Sequence, residues 1–311
     1  MEAQSTTGTA GKEEVAVGKV DWFGKDIAPV ATRLWSEIKA LDLAEHIAEL
    51  EVLGLTVIPP EKFTTRDFVG RLRSALLDMA EIRFGERPDL DHGGPTEAVP
   101  SRAVGQMIRY VLLENPIFEQ AVMNPAVLAL TTYMLGENAI LSTCEGLIKP
   151  QCDDDFFLHC DAFFMPAPLP MVPQTLNLTW AMTDYTRANG ALCYVPGSHR
   201  YCRQPRANEG WSSAVPVEAP AGSLIVWGGN TWHGALRRTA PGQRLSLLMF
   251  MMRPGMRPQE DYRSRVTAEI LDRNPPRFRK LMGFHVAYGW QEKGPDPRFD
   301  GGASVGSHYW D

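Results

Sequence analysis

The chain lacks any run of roughly 18 uninterrupted apolar residues, the length a helix needs to cross a bilayer, so no membrane span is expected. It also lacks a basic surplus. Its 31 Lys and Arg stand against 37 Asp and Glu, a net charge of -6, which offers no electrostatic footprint for a polyanion; nucleic acid is not an expected partner. No CxxC pair occurs among the five cysteines (Cys144, Cys152, Cys160, Cys193 and Cys202), and the odd count argues against a disulfide framework or a zinc cluster. Free thiols packed as small hydrophobes in a reducing, cytoplasmic setting fit better. The first residues show no apolar signal core, and no internal repeat or low-complexity segment is present. What remains is an ordinary globular composition, 44% hydrophobic and 22% charged, able to build a sizeable core.

The chain changes texture near Gly136. Before it, residues 1–20 are small and polar and read as a disordered tail. Asp26 to Leu53 carries Leu34, Ile38, Leu41, Ile47 and Leu50 at helical spacing. Gly54 to Pro60 reads as a short strand, and Thr64 or Thr65 caps a second helix. Residues 86–100 form a loop, followed by helical stretches over Ala103–Leu113 and Pro125–Leu135. After Gly136, short β-rich runs separated by Gly, Pro, Asn and Asp predict an antiparallel sandwich or barrel, and residues 258–282 return to helix. The expected architecture is mainly β with flanking α-helices, in one domain over residues 21–311.

His159 and Asp161 stand two apart in FFLHCDAFF. On a strand, such positions share a face, so imidazole and carboxylate converge while Cys160 points the other way. His233, 72 residues after Asp161 and just past the run GSLIVWGG, is the best third ligand. Two histidines and a carboxylate on one face of a metal leave the opposite face open, the arrangement of non-heme iron(II) oxygenases. Arg244 opens the apolar run LSLLMFMM, where a guanidinium is costly unless it meets an anion. A bidentate carboxylate would answer that cost, with Ser246 on the same face; pairing with one of the chain's own 37 acidic residues is the competing reading.

The stretch from His159 to Ser246 resembles the phytanoyl-CoA dioxygenase family of iron(II)- and 2-oxoglutarate-dependent oxygenases, through LHCD, LTWAMTDYTRANGALCYVPGSHR, AGSLIVWGGNTWHGA and GQRLSL. The resemblance implies a double-stranded β-helix (jelly-roll, cupin-like) core over about residues 136–256. It implies iron(II) on His159, Asp161 and His233, and 2-oxoglutarate on Arg244 aided by Ser246 and Trp180, with O2 as the second cosubstrate. Two positions depart from the family's habit: Cys160 stands where a Gln is frequent, and Ala235 where a small hydroxyl residue is frequent. The presence of Asp161 argues against a halogenase, which needs a small residue there.

Phe156, Phe157, Phe163, Phe164 and Met165 flank the HxD, and Trp227 and Trp232 precede the distal His, so an apolar pocket is expected around a small hydrophobic or amphipathic substrate. Residues 86–106 and 283–311 are candidate lids, Arg102 and Arg109 weaker candidates for substrate contact, and His199-Arg200 a turn. Self-association is compatible with the sequence. Two rivals stay open at this point: a cupin-like metalloenzyme without 2-oxoglutarate, and a non-catalytic binding protein on the same scaffold.

Overall fold

A computed structural model describes residues 27–94, 103–163, 165–285, 290–291 and 294–295. The expected N-terminal tail, Arg102, Phe164, residues 95–102 of the first lid segment and most of the second lie outside these residues.

The β-rich half forms two antiparallel sheets. The larger has strand order β1-β8-β5-β10-β3-β2, comprising β1 (Leu55–Ile58), β2 (Gln106–Ile108), β3 (Ile140–Lys149), β5 (Thr175–Ala181), β8 (Leu224–Gly228) and β10 (Arg244–Met252). The smaller has order β4-β9-β6-β7, comprising β4 (Phe156–His159), β6 (Leu192–Tyr194), β7 (Val215–Pro216) and β9 (His233–Ala235). Alternation along the long strands gives the larger sheet two distinct faces. Leu176, Leu178 and Trp180 of β5, with Leu245, Leu247, Met249 and Met251 of β10, join the main hydrophobic core. Their neighbours Asn177, Thr179, Arg244, Leu248 and Phe250 face a cavity on the other side.

The helices cover the core face. They are α1 (Ile27–Ala40), α2 (Ala44–Leu53), α3 (Arg66–Phe84), α4 (Pro116–Val122), α5 (Pro125–Leu135), α6 (Tyr262–Arg265), α7 (Ala268–Asp272) and α8 (Pro276–Leu281). Leu34 of α1, Leu72 and Leu76 of α3, and Val127 and Leu130 of α5 pack into the same core cluster as the sheet. Local chemistry sets the helix starts: Thr65, Asn115 and Asn124 accept hydrogen bonds from the backbone N–H groups of Phe68, Ile117 and Ala126, and Pro116 and Pro125 take first-turn positions. The likeness of the sheets and their order to a cupin-like jelly roll bears out the expected fold class.

Three boundaries differ from the sequence reading. The Asp26–Leu53 segment breaks into two helices at residues 41–43. Ala103–Leu113 is no helix: Gln106–Ile108 pairs with Gly146–Ile148 at the edge of the sheet, and Val111–Leu113 is a single 3-10 turn. An edge strand offers backbone partners that local propensity does not register. The 258–282 stretch is three short helices rather than continuous helix, and α4 was not anticipated.

Trp180 is fully buried, its ring 4.9 Å from Phe63 and 5.5 Å from Phe68 by centroid. Trp180→Ala is expected to lower unfolding free energy by about 3–5 kcal/mol, measured by urea titration, because the rigid α3 side of the core cannot close the void.

Candidate active site

β4 and β9 pair with His159 directly opposite His233. Gly234 makes the approach possible: a Cβ there would sit 2.5 Å from the carbonyl oxygen of Phe156. The two rings lie 4.3 Å apart by centroid. Each imidazole is fixed in tautomer by its own backbone. His159 Nδ1 stands 3.0 Å from the Phe157 carbonyl and His233 Nδ1 2.9 Å from that of Thr231, so each Nδ1–H donates and each Nε2 keeps its lone pair. Burial, with His233 beside it, pushes the His159 pKa down to about 4 against the pull of Asp161, which leaves the ring unprotonated at neutral pH.

Asp161 completes the group from just beyond the strand. The β4 ladder ends at His159, and Gln204 takes over the next peptide: Cys160 N–H donates to Gln204 Oε1 at 2.9 Å, and Gln204 Nε2 donates back to the Cys160 carbonyl at 2.7 Å. Alternation nevertheless persists. Cys160 packs with Leu158, Cys193 and Trp232, while Asp161 turns to the histidines, its Oδ1 3.7 Å from His159 Nε2 and its Oδ2 3.6 Å from His233 Nε2. Asp161 N–H donates to the Gly229 carbonyl at 2.8 Å, and Asn177 Nδ2 donates to Oδ2 at 2.6 Å. One donor atom from each of the three residues lies within 4.8 Å of the others, a set suited to a metal ion.

Arg244 lies at another part of the same cavity and is 3% exposed. Its guanidinium donates to the Gly190 carbonyl and sits 4.3 Å over the ring of Tyr185. Its Nε is buried without a hydrogen-bond partner. Lys149 stands directly across from it on β3, fully buried, donating from Nζ to the Ala103 carbonyl at 2.5 Å. Burial and the Arg244 charge lower the Lys149 pKa to about 7. Arg238, beside them, donates to the carbonyls of Gly242, Asn189 and Pro241, and burial and Arg244 bring its pKa down to about 10. Among the described residues none of the three cations meets a carboxylate. Among the described residues, then, Arg244 has none of the chain's own acids as a partner. The Asn189-Gly190 turn is built around the cluster: a Cβ on Gly190 would lie 2.9 Å from Arg238 Cβ, the Leu236 carbonyl and Lys149 Cε alike.

The cavity holds about 580 Å³, and His159, Asp161, His233 and Arg244 all line it. Phe156, Phe163 and Trp227 line it as expected, whereas Trp232 is buried against Tyr201. Ser246 is buried one step behind: its hydroxyl is 2.7 Å from that of Tyr185, which is the group in the cavity wall. Trp180 is a correction. It faces the helices on the opposite side of β5, because even-numbered positions of that strand point to the core, so its expected part in holding 2-oxoglutarate is withdrawn. Sequence reasoning missed Asn177, Tyr185, Gln204, Lys149 and Glu145. Of these only Lys149 and Glu145 left a trace, as charges inside the apolar run of β3.

The description "Phytanoyl-CoA dioxygenase (PhyH)" matches residues 61–246, three-fifths of the sequence. The chain belongs to the phytanoyl-CoA dioxygenase family. That membership makes it an enzyme of the iron(II)- and 2-oxoglutarate-dependent dioxygenase class. Among relatives, the chain is 30% identical over 183 residues to the uncharacterized protein Mb1539 of Mycobacterium bovis, covering 58% of this chain and 67% of that one. It is 28% identical over 170 residues to dioxygenase af480 of Aspergillus fumigatus, covering 53% of this chain and 55% of that one. In fold it is similar to HygX of Streptomyces hygroscopicus, solved with nickel and 2-oxoglutarate bound, at a TM-score of 0.53 and 16% identity over 67% of this chain and 86% of HygX. The carbocyclase SnoK of nogalamycin biosynthesis, described as non-heme and alpha-ketoglutarate-dependent, gives 0.52 and 19% over 67% and 83%. No described helix of this family member is long and apolar enough to cross a membrane.

Asn177 is the outer partner of the carboxylate. Asn177→Ala is expected to weaken metal binding by about 10–100-fold, read by calorimetric titration with iron(II) under argon, while leaving the fold intact by circular dichroism. Gly234→Ala should also lose metal affinity, by prising β4 from β9.

Proposed function

We propose that this chain oxidises an unactivated C–H bond of a small hydrophobic or amphipathic organic molecule, holding iron(II) on His159, Asp161 and His233 and 2-oxoglutarate on Arg244. One observation carries the reading: a tautomer-fixed His-Asp-His set and a buried arginine with no acidic partner among the described residues open onto one apolar cavity. When bound, iron(II) with 2-oxoglutarate and O2 supplies an oxidant able to take hydrogen from such a bond, with succinate and CO2 as by-products.

The protein's own residues contribute placement. The Nδ1 bonds to Phe157 and Thr231 aim both imidazole lone pairs inward. Asn177 occupies Asp161 Oδ2 and holds the carboxylate's orientation. Arg244 offers a charged donor where a distal carboxylate would lie, with Tyr185 packed under the guanidinium and Ser246 steadying the phenol. Phe163 stacks on the His159 ring at 5.4 Å, and Trp227 lies 5.1 Å from that of His233, so an aromatic ring packs against each imidazole. Hydroxylation is the outcome we propose; desaturation and ring rearrangement are compatible with the same ligands.

Anaerobic addition of iron(II) and then 2-oxoglutarate should produce a weak visible charge-transfer band. His159→Ala and Asp161→Ala should abolish it. Arg244→Ala should keep it but require about 10–150-fold more 2-oxoglutarate, the equivalent of losing a charge-assisted hydrogen bond of about 1.5–3 kcal/mol. Iron bound without a band in the wild type would favour a cupin-like metalloenzyme that does not use 2-oxoglutarate.

A further inference from the structure

The cavity wall contains one carboxylate that the metal set does not use. Glu145 sits mid-strand on β3, is 7% exposed, and lines the cavity. Its row across the sheet floor is read from the register: Glu145 faces Leu248 of β10, Leu248 faces Thr179 of β5, and Thr179 faces Ile225 of β8. All four side chains line the cavity. Asn177, which holds Asp161, lies two strands across and two residues along from Glu145, roughly 12 Å away by standard strand spacings. Glu145 thus stands apart from the metal set, on the floor a substrate would span.

Its partner is Arg109, whose Nη1 forms the ion pair with Glu145 Oε2 and whose Nη2 reaches the Met107 sulfur at 3.2 Å. Oε2 is buried, and the Arg109 guanidinium is the cation beside it. A carboxylate has about four acceptor positions, and one guanidinium nitrogen does not fill them. Burial raises the Glu145 pKa to about 7, with Arg109 pulling it down and Glu260 pushing it up. Glu145 takes no part in the core packing of its strand: the opposite face of β3, at Cys144 and Ile148, is what meets the core.

We propose that Glu145, oriented by Arg109, is a specificity-determining residue that accepts a hydrogen bond from a neutral hydroxyl on the far end of an otherwise apolar substrate. A hydroxyl is the group the pair suits, since it can donate to Glu145 and accept from Arg109 at once. An anionic group meets the Glu145 charge and an ammonium meets Arg109. The pair itself is balanced in sign, Glu145 against Arg109. The remaining walls are mostly apolar side chains such as Met107, Leu147, Leu248 and Phe250, which favour a hydrocarbon body. This proposal rests on the cavity being the substrate site of the oxygenase.

The test uses the full chain and two probes, 4-phenylphenol and its methyl ether, titrated by calorimetry with and without iron(II) and 2-oxoglutarate under argon. The wild type is expected to bind the phenol at least about tenfold more tightly than the ether, the weight of one charge-assisted hydrogen bond. In Glu145→Leu that ratio should fall below about twofold with the ether's own affinity retained, and Glu145→Gln should lie between. Arg109→Met should also reduce the ratio, and it carries the test alongside Glu145→Gln if Glu145→Leu does not fold by circular dichroism. Equal affinities in the wild type, an unchanged ratio in the folded variants, or no binding of either probe overturns the proposal. The iron and 2-oxoglutarate assignment stands or falls separately, on the charge-transfer band.

Discussion

Arg244 and Lys149 stand face to face across β10 and β3, both buried, and the rest of the site is arranged around that cross-strand pair. Like charges in register repel, and burial removes the water that would screen them. The fold answers with dipoles rather than with acids. The carbonyls of Gly190 and Ala103 accept from the two cations, and the Tyr185 ring lies under the guanidinium. Arg238 adds a third positive charge held by three more carbonyls. The turn that delivers the Gly190 carbonyl has no room for a side chain, which gives the Asn-Gly pair of the sequence a steric as well as a conformational reason. A cluster so organised suits a negatively charged group, as the proposed function requires, and His159, Asp161 and His233 lie in the wall of the same chamber.

The two sheets divide the labour. The smaller one brings the histidines together through a single pairing, His159 with His233, in which a glycine permits the close approach. The larger one supplies the arginine, the amide that steadies the aspartate, and the floor of the chamber. Neither could form the site alone. The helices touch none of this chemistry directly; they seal the far face of the larger sheet and keep it rigid.

Much of this was legible in the chain. His159, Asp161 and His233 could be read because two-residue spacing on a strand is a local rule, and Arg244 because a charge entering an apolar run asks for an explanation. Trp180 misled because a family motif marks a position as distinctive without saying which side of the sheet it faces. Its parity with Leu178 in β5 placed it in the core. Asn177 and Tyr185 were silent for a different reason: each acts through a contact with a residue 16 or 61 positions away, and such separations leave no periodic trace. The stretch 103–113 was misread because an edge strand takes its shape from the neighbour it pairs with.

Alternation along β5, along β10 and along β3 from Thr143 onward, past the bulge at Ser142, assigns structure and chemistry to interleaved residues. On β5 and β3 the odd-numbered positions Thr143, Glu145, Leu147, Asn177 and Thr179 face the chamber, and even-numbered Cys144, Ile148, Leu176 and Leu178 face the core. Such an arrangement makes the enzyme evolvable in a particular way. Point substitutions at Glu145, Thr179 or Leu248 can remodel what the chamber accepts without asking the core to repack. A one-residue insertion in these strands exchanges the two populations unless a bulge absorbs it, as the one at Ser142 of β3 does, so diversification on this scaffold is channelled into substitutions within its long strands and length changes in its loops.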